Sequence, residues 1–309
     1  MKDDERPMSA AEREEIRSRA VSSFLGFALG DALGAPVEFM TPGEIRAKYG
    51  ILREMVGGGW LRLKPGQVTD DTDMSLCIAR AVSRAGAWDL TAIARQFVAW
   101  LKTRPIDVGD TCRRGIRDFM LSGRLETQPC QWDGGNGALM RMAPVALATL
   151  GDDDLLQRYA REQAHLTHNQ PLSDAACRCY GRLLHLAIAG RSKARLRREV
   201  DSLVTEYPSF SFEPYHGLAT GYVVDTFQTV CHHFFRGRDY EECVVATVNQ
   251  GGDADTTGAI VGGLAGAFYG LERLPVRWLK RLDRSLVSEI TELAGKLVDL
   301  SPMGVRAGF

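Results

Sequence analysis

Two runs of glycine at four-residue spacing constrain this chain more than any other feature. Gly26, Gly30 and Gly34 recur in a largely apolar segment, and Gly258, Gly262, Gly266 and Gly270 do the same near the other end. A spacing of four keeps residues on one face of an α-helix, where each glycine costs about 1 kcal/mol relative to alanine. That cost calls for an offsetting gain, and close backbone approach between helices is what a missing Cβ permits. The sequence therefore predicts two long helices, one from each end of the chain, packed together in the core.

Helical periodicity continues between them. Ile16, Ala20, Phe24, Phe27 and Ala28 form one apolar stripe within residues 11–35. Similar stripes run through 74–83, 90–101, 111–120, 138–149, 155–165, 174–189, 219–235, 240–247, 257–269 and 275–300. Strand signals are weak: residues 209–212 alternate but are too few, and the Asn136-Gly137 pair, a possible hairpin turn, leads straight into an alanine-rich helical pattern. No linker or repeat divides the chain. The expectation is an all-α fold, a single compact multi-helix domain over residues 13–309, with residues 1–12 as a disordered extension.

The formal net charge of −1 excludes a sequence-wide basic field for nucleic acid or anionic lipid. The basic run from Lys193 to Arg198 reads as a solvated helix face. Seven scattered cysteines without a Cys-x-x-Cys pair argue against a disulfide framework, and Cys177 and Cys179 lack partners for a zinc site. The charged N-terminus has no signal core, and no run approaches the roughly 18 apolar residues of a membrane span, so a cytoplasmic protein is expected.

Three acidic segments carry the chemistry: Glu38; Thr69 to Asp73 (TDDTD); and Asp253 to Thr257 (DADTT). Aspartate and threonine also cap helices, and Asp152 to Asp154 is read that way. A cap needs one side-chain oxygen, however, whereas these segments supply several on adjacent residues, approached by glycines that permit tight turns. Oxygen ligands without His or Cys select hard cations such as Mg²⁺ or Mn²⁺. If the glycine helices bring the chain ends together, Glu38, Asp70, Asp71, Asp253 and Asp255 converge, and two divalent ions would nearly neutralise their mutual repulsion. A binuclear site in a central cleft is expected.

The segments GDALGAPVE, QVTDDTDMS, GNGALMR and NQGGDADTTGAIVGGLAGA, in this order, resemble the ADP-ribosylglycohydrolase family over roughly residues 16–290. The resemblance implies an all-α hydrolase with two Mn²⁺ or Mg²⁺ ions held by Glu38, Thr69, Asp70, Asp71, Asp253, Asp255 and Thr256. It implies a substrate cleft lined by Asp107, Gly109, Asp110, Thr111, Gly134, Gly135, Asn136, Gly137, His168 and Tyr222. Asp107 and Asp70 are the expected catalytic residues, with Asp107 the candidate for proton transfer. The implied reaction cuts the N-glycosidic bond between ADP-ribose and an arginine of a modified protein. Its nitrogenase-linked members further suggest nitrogenase iron protein as the target, reactivated by hydrolysis. They also suggest a PII-type signalling partner that recruits the enzyme reversibly to the membrane. Other readings of the same residues are hydrolysis of ADP-ribosyl-serine or O-acetyl-ADP-ribose, ADP-ribose binding without catalysis, and a binuclear phosphoesterase, which the lack of His ligands disfavours.

Overall fold

Ser9 starts the first helix by a reciprocal cap: its Oγ accepts the N–H of Glu12 (3.2 Å), and the Glu12 carboxylate accepts the N–H of Ser9 (2.8 Å). The computed structural model describes residues 8–308. Its helices are α1 (Ala10–Gly34), α2 (Pro42–Tyr49), α3 (Asp70–Ala85), α4 (Leu90–Lys102) and α5 (Asp110–Ser122). They continue with α6 (Ala143–Ala148), α7 (Asp153–His165), α8 (Pro171–Ile188), α9 (Lys193–Glu206) and α10 (Val223–Arg236). The last are α11 (Tyr240–Val248), α12 (Ala254–Tyr269), α13 (Val276–Leu279), α14 (Arg284–Leu300) and α15 (Pro302–Ala307). Among the described residues there is no strand, only isolated bridges at Gly58–Leu63 and Gly135–Tyr222.

Of the extension expected over residues 1–12, the part from Ala10 onward is helical, and residues 1–7 lie outside the described residues. Three other expectations need adjustment. The pattern over 138–149 yields only the short α6, whose Pro144 sits in the first turn where its missing N–H costs nothing. The pattern over 275–300 breaks into α13 and α14, because the Asp283 carboxylate caps a new helix at Ser285 and Leu286. The basic run opens α9 as expected, but Lys193 is half-buried and its Nζ donates to the carbonyls of Phe234 (2.7 Å) and Gly237 (2.6 Å).

The two glycine helices, α1 and α12, pack antiparallel. A Cβ on Gly26 would lie 2.6 Å from the Gly262 carbonyl oxygen, and one on Gly258 would lie 2.7 Å from that of Gly30. A Cβ on Gly30 or Gly34 would overlap the carbonyls of Gly258 and Ala254. Hydroxyls fill the seam: Ser22 donates to the Gly266 carbonyl (2.8 Å) and Ser23 to that of Gly263 (3.0 Å). Tyr240 and Tyr180 donate to the carbonyls of Gly26 (2.7 Å) and Ile260 (2.8 Å). The segment Ala10–Val37 is long and apolar enough to cross a membrane, contrary to the sequence expectation, yet its apolar window is wholly buried inside the protein. Its hydrophobicity is consumed by the core. The antiparallel arrangement sets the C-terminal end of α1 beside the N-terminal end of α12, and there the acidic segments meet.

On another side of the molecule, buried His165 lies between Glu126 (2.9 Å) and Asp174 (3.0 Å) and pins the segment after α5 onto α7. Burial opposes protonation of the imidazole, but Asp174 and Glu126 outweigh it and raise its pKa. A raised folded pKa contributes stability that is complete below the unfolded value near 6.5 and is lost as pH rises through the folded value. We expect wild type to lose more stability than His165→Gln between pH 6 and 9 in urea titrations. Parallel losses for the two proteins would refute a charged His165.

Candidate metal centre and cleft

Asp31, on the last turn of α1, organises the centre and was not anticipated from sequence. It is fully buried, and its carboxylate accepts the N–H of Thr69 (3.1 Å), the N–H of Thr72 (3.2 Å) and the Thr72 hydroxyl (2.6 Å). Those are unpaired donors at the start of α3, so Asp31 holds the TDDTD segment against the end of α1. Burial raises its pKa to about 7, against the pull of those hydrogen bonds. Asp31→Ala would leave the donors buried without an acceptor, and we expect a loss of about 2–4 kcal/mol in urea unfolding. An unchanged midpoint would contradict this role.

The other acids surround the same point. Glu38 follows the short turn Ala35–Val37, and its Oε2 accepts the indole N–H of Trp60 (2.6 Å). Asp70 accepts the N–H of Gly109 (3.2 Å), which ties α3 to the start of α5. Asp71 Oδ2 accepts the hydroxyls of Thr69 (3.0 Å) and Thr256 (3.2 Å), a direct link between α3 and α12. Asp253 accepts the side-chain N–H of Asn136 (2.6 Å), which also donates to Thr226 (2.9 Å). One oxygen from each of Glu38, Asp253 and Asp255 falls within 4.8 Å of the others.

Such a cluster is costly without a counter-charge. Burial, then neighbouring carboxylates, pushes Asp70 up to about 8. Burial pushes Glu38 up to about 8, where the Trp60 N–H resists and the Asp253 charge adds. Asp71 and Asp255 are raised well above the usual carboxylate range for the same reasons. Among the described residues that line the cleft, Arg113 is the only Lys or Arg, and it turns to Asp110 (3.3 Å) and the Val108 carbonyl (3.2 Å). Asp71 Oδ1 is buried with no hydrogen-bond partner. An unpartnered carboxylate oxygen among other acids, with hydroxyls and no thiolate or imidazole in the set, fits a hard divalent cation.

The centre forms the floor of an open cleft of about 470 Å³. Its walls include Asp107, Gly109, Asp110, Thr111, Gly135, Asn136, Gly137 and His168, all expected from sequence. Asp107 is half-buried, accepts its neighbour Val108 N–H (2.8 Å) and has a raised pKa, first from burial. The Asp110 side chain, by contrast, is 97% exposed. Thr69, expected as a metal ligand, is buried and donates to Asp71. Of the expected cleft residues, Gly134 and Tyr222 lie together next to the lining residues Gly135 and Gly221, where a Cβ on Gly134 would come 2.9 Å from the tyrosine ring. Besides Asp31, sequence reasoning missed Phe39 and Trp60, exposed aromatics with ring centroids 5.6 Å apart on the cleft rim. The signal for Trp60 was the preceding Gly57–Gly59, all at positive φ and thus a backbone path that side chains rarely follow.

An all-α scaffold that gathers acids from both chain ends onto the floor of one cleft has a match among known families. The chain belongs to the ADP-ribosylglycohydrolase family, whose model matches residues 12–305. It is 51% identical to the ADP-ribosyl-[dinitrogen reductase] glycohydrolase of Rhodospirillum rubrum, over 93% of this chain and 97% of that one. It is 30% identical to the ADP-ribosylarginine hydrolase Tri1 of Pseudomonas putida, over 94% of this chain and 80% of the relative. A solved structure described as an ADP-ribosylglycohydrolase-related protein complex superimposes with a TM-score of 0.83 at 34% identity, covering 93% of this chain and 99% of that chain.

Proposed function

We propose that this protein removes ADP-ribose from a modified arginine of a target protein, with dinitrogen reductase as the favoured target. One observation carries the hydrolytic reading: buried acids from three chain segments meet under an open cleft, with an Asp71 oxygen left unpartnered. The arginine linkage and the target draw on the names of the two relatives above. A PII-type partner and recruitment to the membrane rest on the sequence resemblance alone.

Two Mn²⁺ or Mg²⁺ ions would be held by Glu38, Thr69, Asp70, Asp71, Asp253, Asp255 and Thr256. When bound, they supply Lewis acidity that orients sugar hydroxyls and acidifies water. The protein's own groups do the rest. Cleavage at ribose C1″ builds oxocarbenium-like positive charge, which the surrounding carboxylates favour electrostatically. Asp107, on the cleft wall with a raised pKa, would exchange a proton with the attacking water or the leaving guanidine. The start of α5 at Asp110 and Thr111 presents N–H groups that lack helical partners, a suitable cradle for the diphosphate.

The test is hydrolysis of ADP-ribosylarginine beside ADP-ribosylserine and O-acetyl-ADP-ribose, with Mn²⁺ and with EDTA, next to metal analysis. We expect about two ions per chain and metal-dependent turnover of the arginine conjugate. Turnover of the serine conjugate alone would overturn the linkage, and binding of ADP-ribose without turnover of any conjugate would overturn catalysis.

A further inference from the structure

Arg141, just beyond the GNGALM segment, is fully buried. Its Nε donates to the Gln163 side chain (2.7 Å), and Nη2 donates to the Gln163 carbonyl (2.8 Å) and to Thr167 Oγ1 (2.7 Å). Its guanidinium lies over the Phe97 ring, 4.9 Å from the centroid, and Nη1 faces Cys112 Sγ (3.7 Å). No carboxylate bonds it among the described residues. A buried cation without an anion is expensive, so its hydrogen bonds must accomplish something that an apolar residue would not.

They lead to the cleft. Thr167 Oγ1, which accepts from Arg141, lies 2.7 Å from His168 Nδ1. A hydroxyl has one proton to give, and His168 Nδ1 is the only acceptor offered to it among the described residues. Donation of the Thr167 proton to Nδ1 satisfies that hydroxyl and makes Nδ1 the unprotonated nitrogen. The remaining imidazole proton then sits on Nε2. That atom has no protein partner among the described residues, and the ring lines the cleft wall. It faces the GGNG turn, where a Cβ on Gly135 or Gly137 would come within 3.1 or 3.2 Å of it. Burial, helped by the charges of Arg141 and Arg114, keeps this ring neutral.

We propose that Arg141 and Thr167 form a positioning relay that fixes the tautomer of His168, so that His168 offers an Nε2–H donor to an oxygen or ring-nitrogen acceptor of the ADP-ribosyl group above the Gly135–Gly137 turn. Arg141 and Thr167 touch no substrate. They act through the ring, and the two glycines keep its outer edge clear. The relay presupposes that the cleft holds ADP-ribose, as proposed above, but the tautomer itself does not depend on that.

The full-length protein labelled with ¹⁵N-histidine separates the two ideas. With the His168 signals assigned by comparison with His168→Asn, the wild-type spectrum should report a neutral ring protonated at Nε2. Protonation at Nδ1, or an imidazolium, would overturn the relay whatever the enzyme hydrolyses. Thr167→Val removes the hydroxyl while keeping the shape. We expect a mixed tautomer in this variant, about tenfold weaker binding of free ADP-ribose by calorimetry, and a KM for ADP-ribosylarginine that rises about as much while kcat changes less. Thr167→Ser should restore the spectrum and both constants to within about twofold. A folded Thr167→Val that keeps the wild-type tautomer and affinity would refute the proposal. If wild type shows the Nε2–H form but binds no ADP-ribose, the relay stands and the assigned ligand falls.

Discussion

Asp70→Ala is expected to lower hydrolysis by about 10³-fold or more and to abolish the rise in Tm that Mn²⁺ gives the wild type. Asp70 is buried, accepts the Gly109 N–H, and has a pKa pushed to about 8, first by burial and then by the Asp107 charge. Those forces act against the metal-free fold. Asp70→Ala relieves the repulsion among buried carboxylates but orphans the Gly109 N–H, so the two effects oppose each other and the metal-free variant should unfold close to wild type. Bound metal reverses the balance. At 100 times its Kd, a ligand specific for the folded state adds about 2.7 kcal/mol, or roughly 5 °C in a chain of this length. Differential scanning calorimetry with Mn²⁺ and with EDTA, beside elemental analysis, reads both effects. A variant that kept full occupancy and the full thermal shift would show that Asp70 is no ligand.

Gly30→Ala is expected to cost about 3 kcal/mol or more, a fall in Tm of roughly 6 °C, although alanine is the better helix former. The added methyl would overlap the Gly258 carbonyl. Backbone cannot swing aside as a side chain does, so α1 and α12 must separate along the seam. Gly43→Ala is the matched control: it is exposed in the first turn of α2, and the nearest atom to its new Cβ is Thr41 Oγ1 at 3.9 Å. Helix propensity alone should make that change stabilising by up to about 1 kcal/mol. Equal effects at the two positions would mean the helices are not held together by close approach. Gly30 also sits one turn from Gly34, which meets Ala254 at the mouth of α12, so Gly30→Ala should weaken Mn²⁺ binding as well.

The glycine helices and the acidic segments were legible in sequence because each is a repeated local signal. Spacing of four over three turns admits few interpretations, and adjacent oxygens on TDDTD and DADTT exceed what capping requires. Asp31 escaped because its meaning is tertiary. It is one acid in an apolar helix, indistinguishable in sequence from a solvent-facing residue, and its partners Thr69 and Thr72 arrive from 38 and 41 positions away. Trp60 escaped for the same reason, as its partner Glu38 is 22 positions distant. Tyr222 was assigned to the cleft by resemblance, and the structure bridges it to Gly135, which lines that cleft. The long helix expected over 275–300 failed on capping, because apolar periodicity runs through Asp283 while its carboxylate starts a fresh helix.

The seam between α1 and α12 also bears on how the molecule is made. Ser22 and Gly266, bonded across it, are 244 residues apart. On the ribosome, α1 therefore emerges 244 residues ahead of the surface that will cover it. Until then no α12 covers its apolar face, which by length and composition alone passes for a membrane span. A nascent chain stalled before Ala254 would leave this face bare, and chaperones or export machinery would meet it before any metal could.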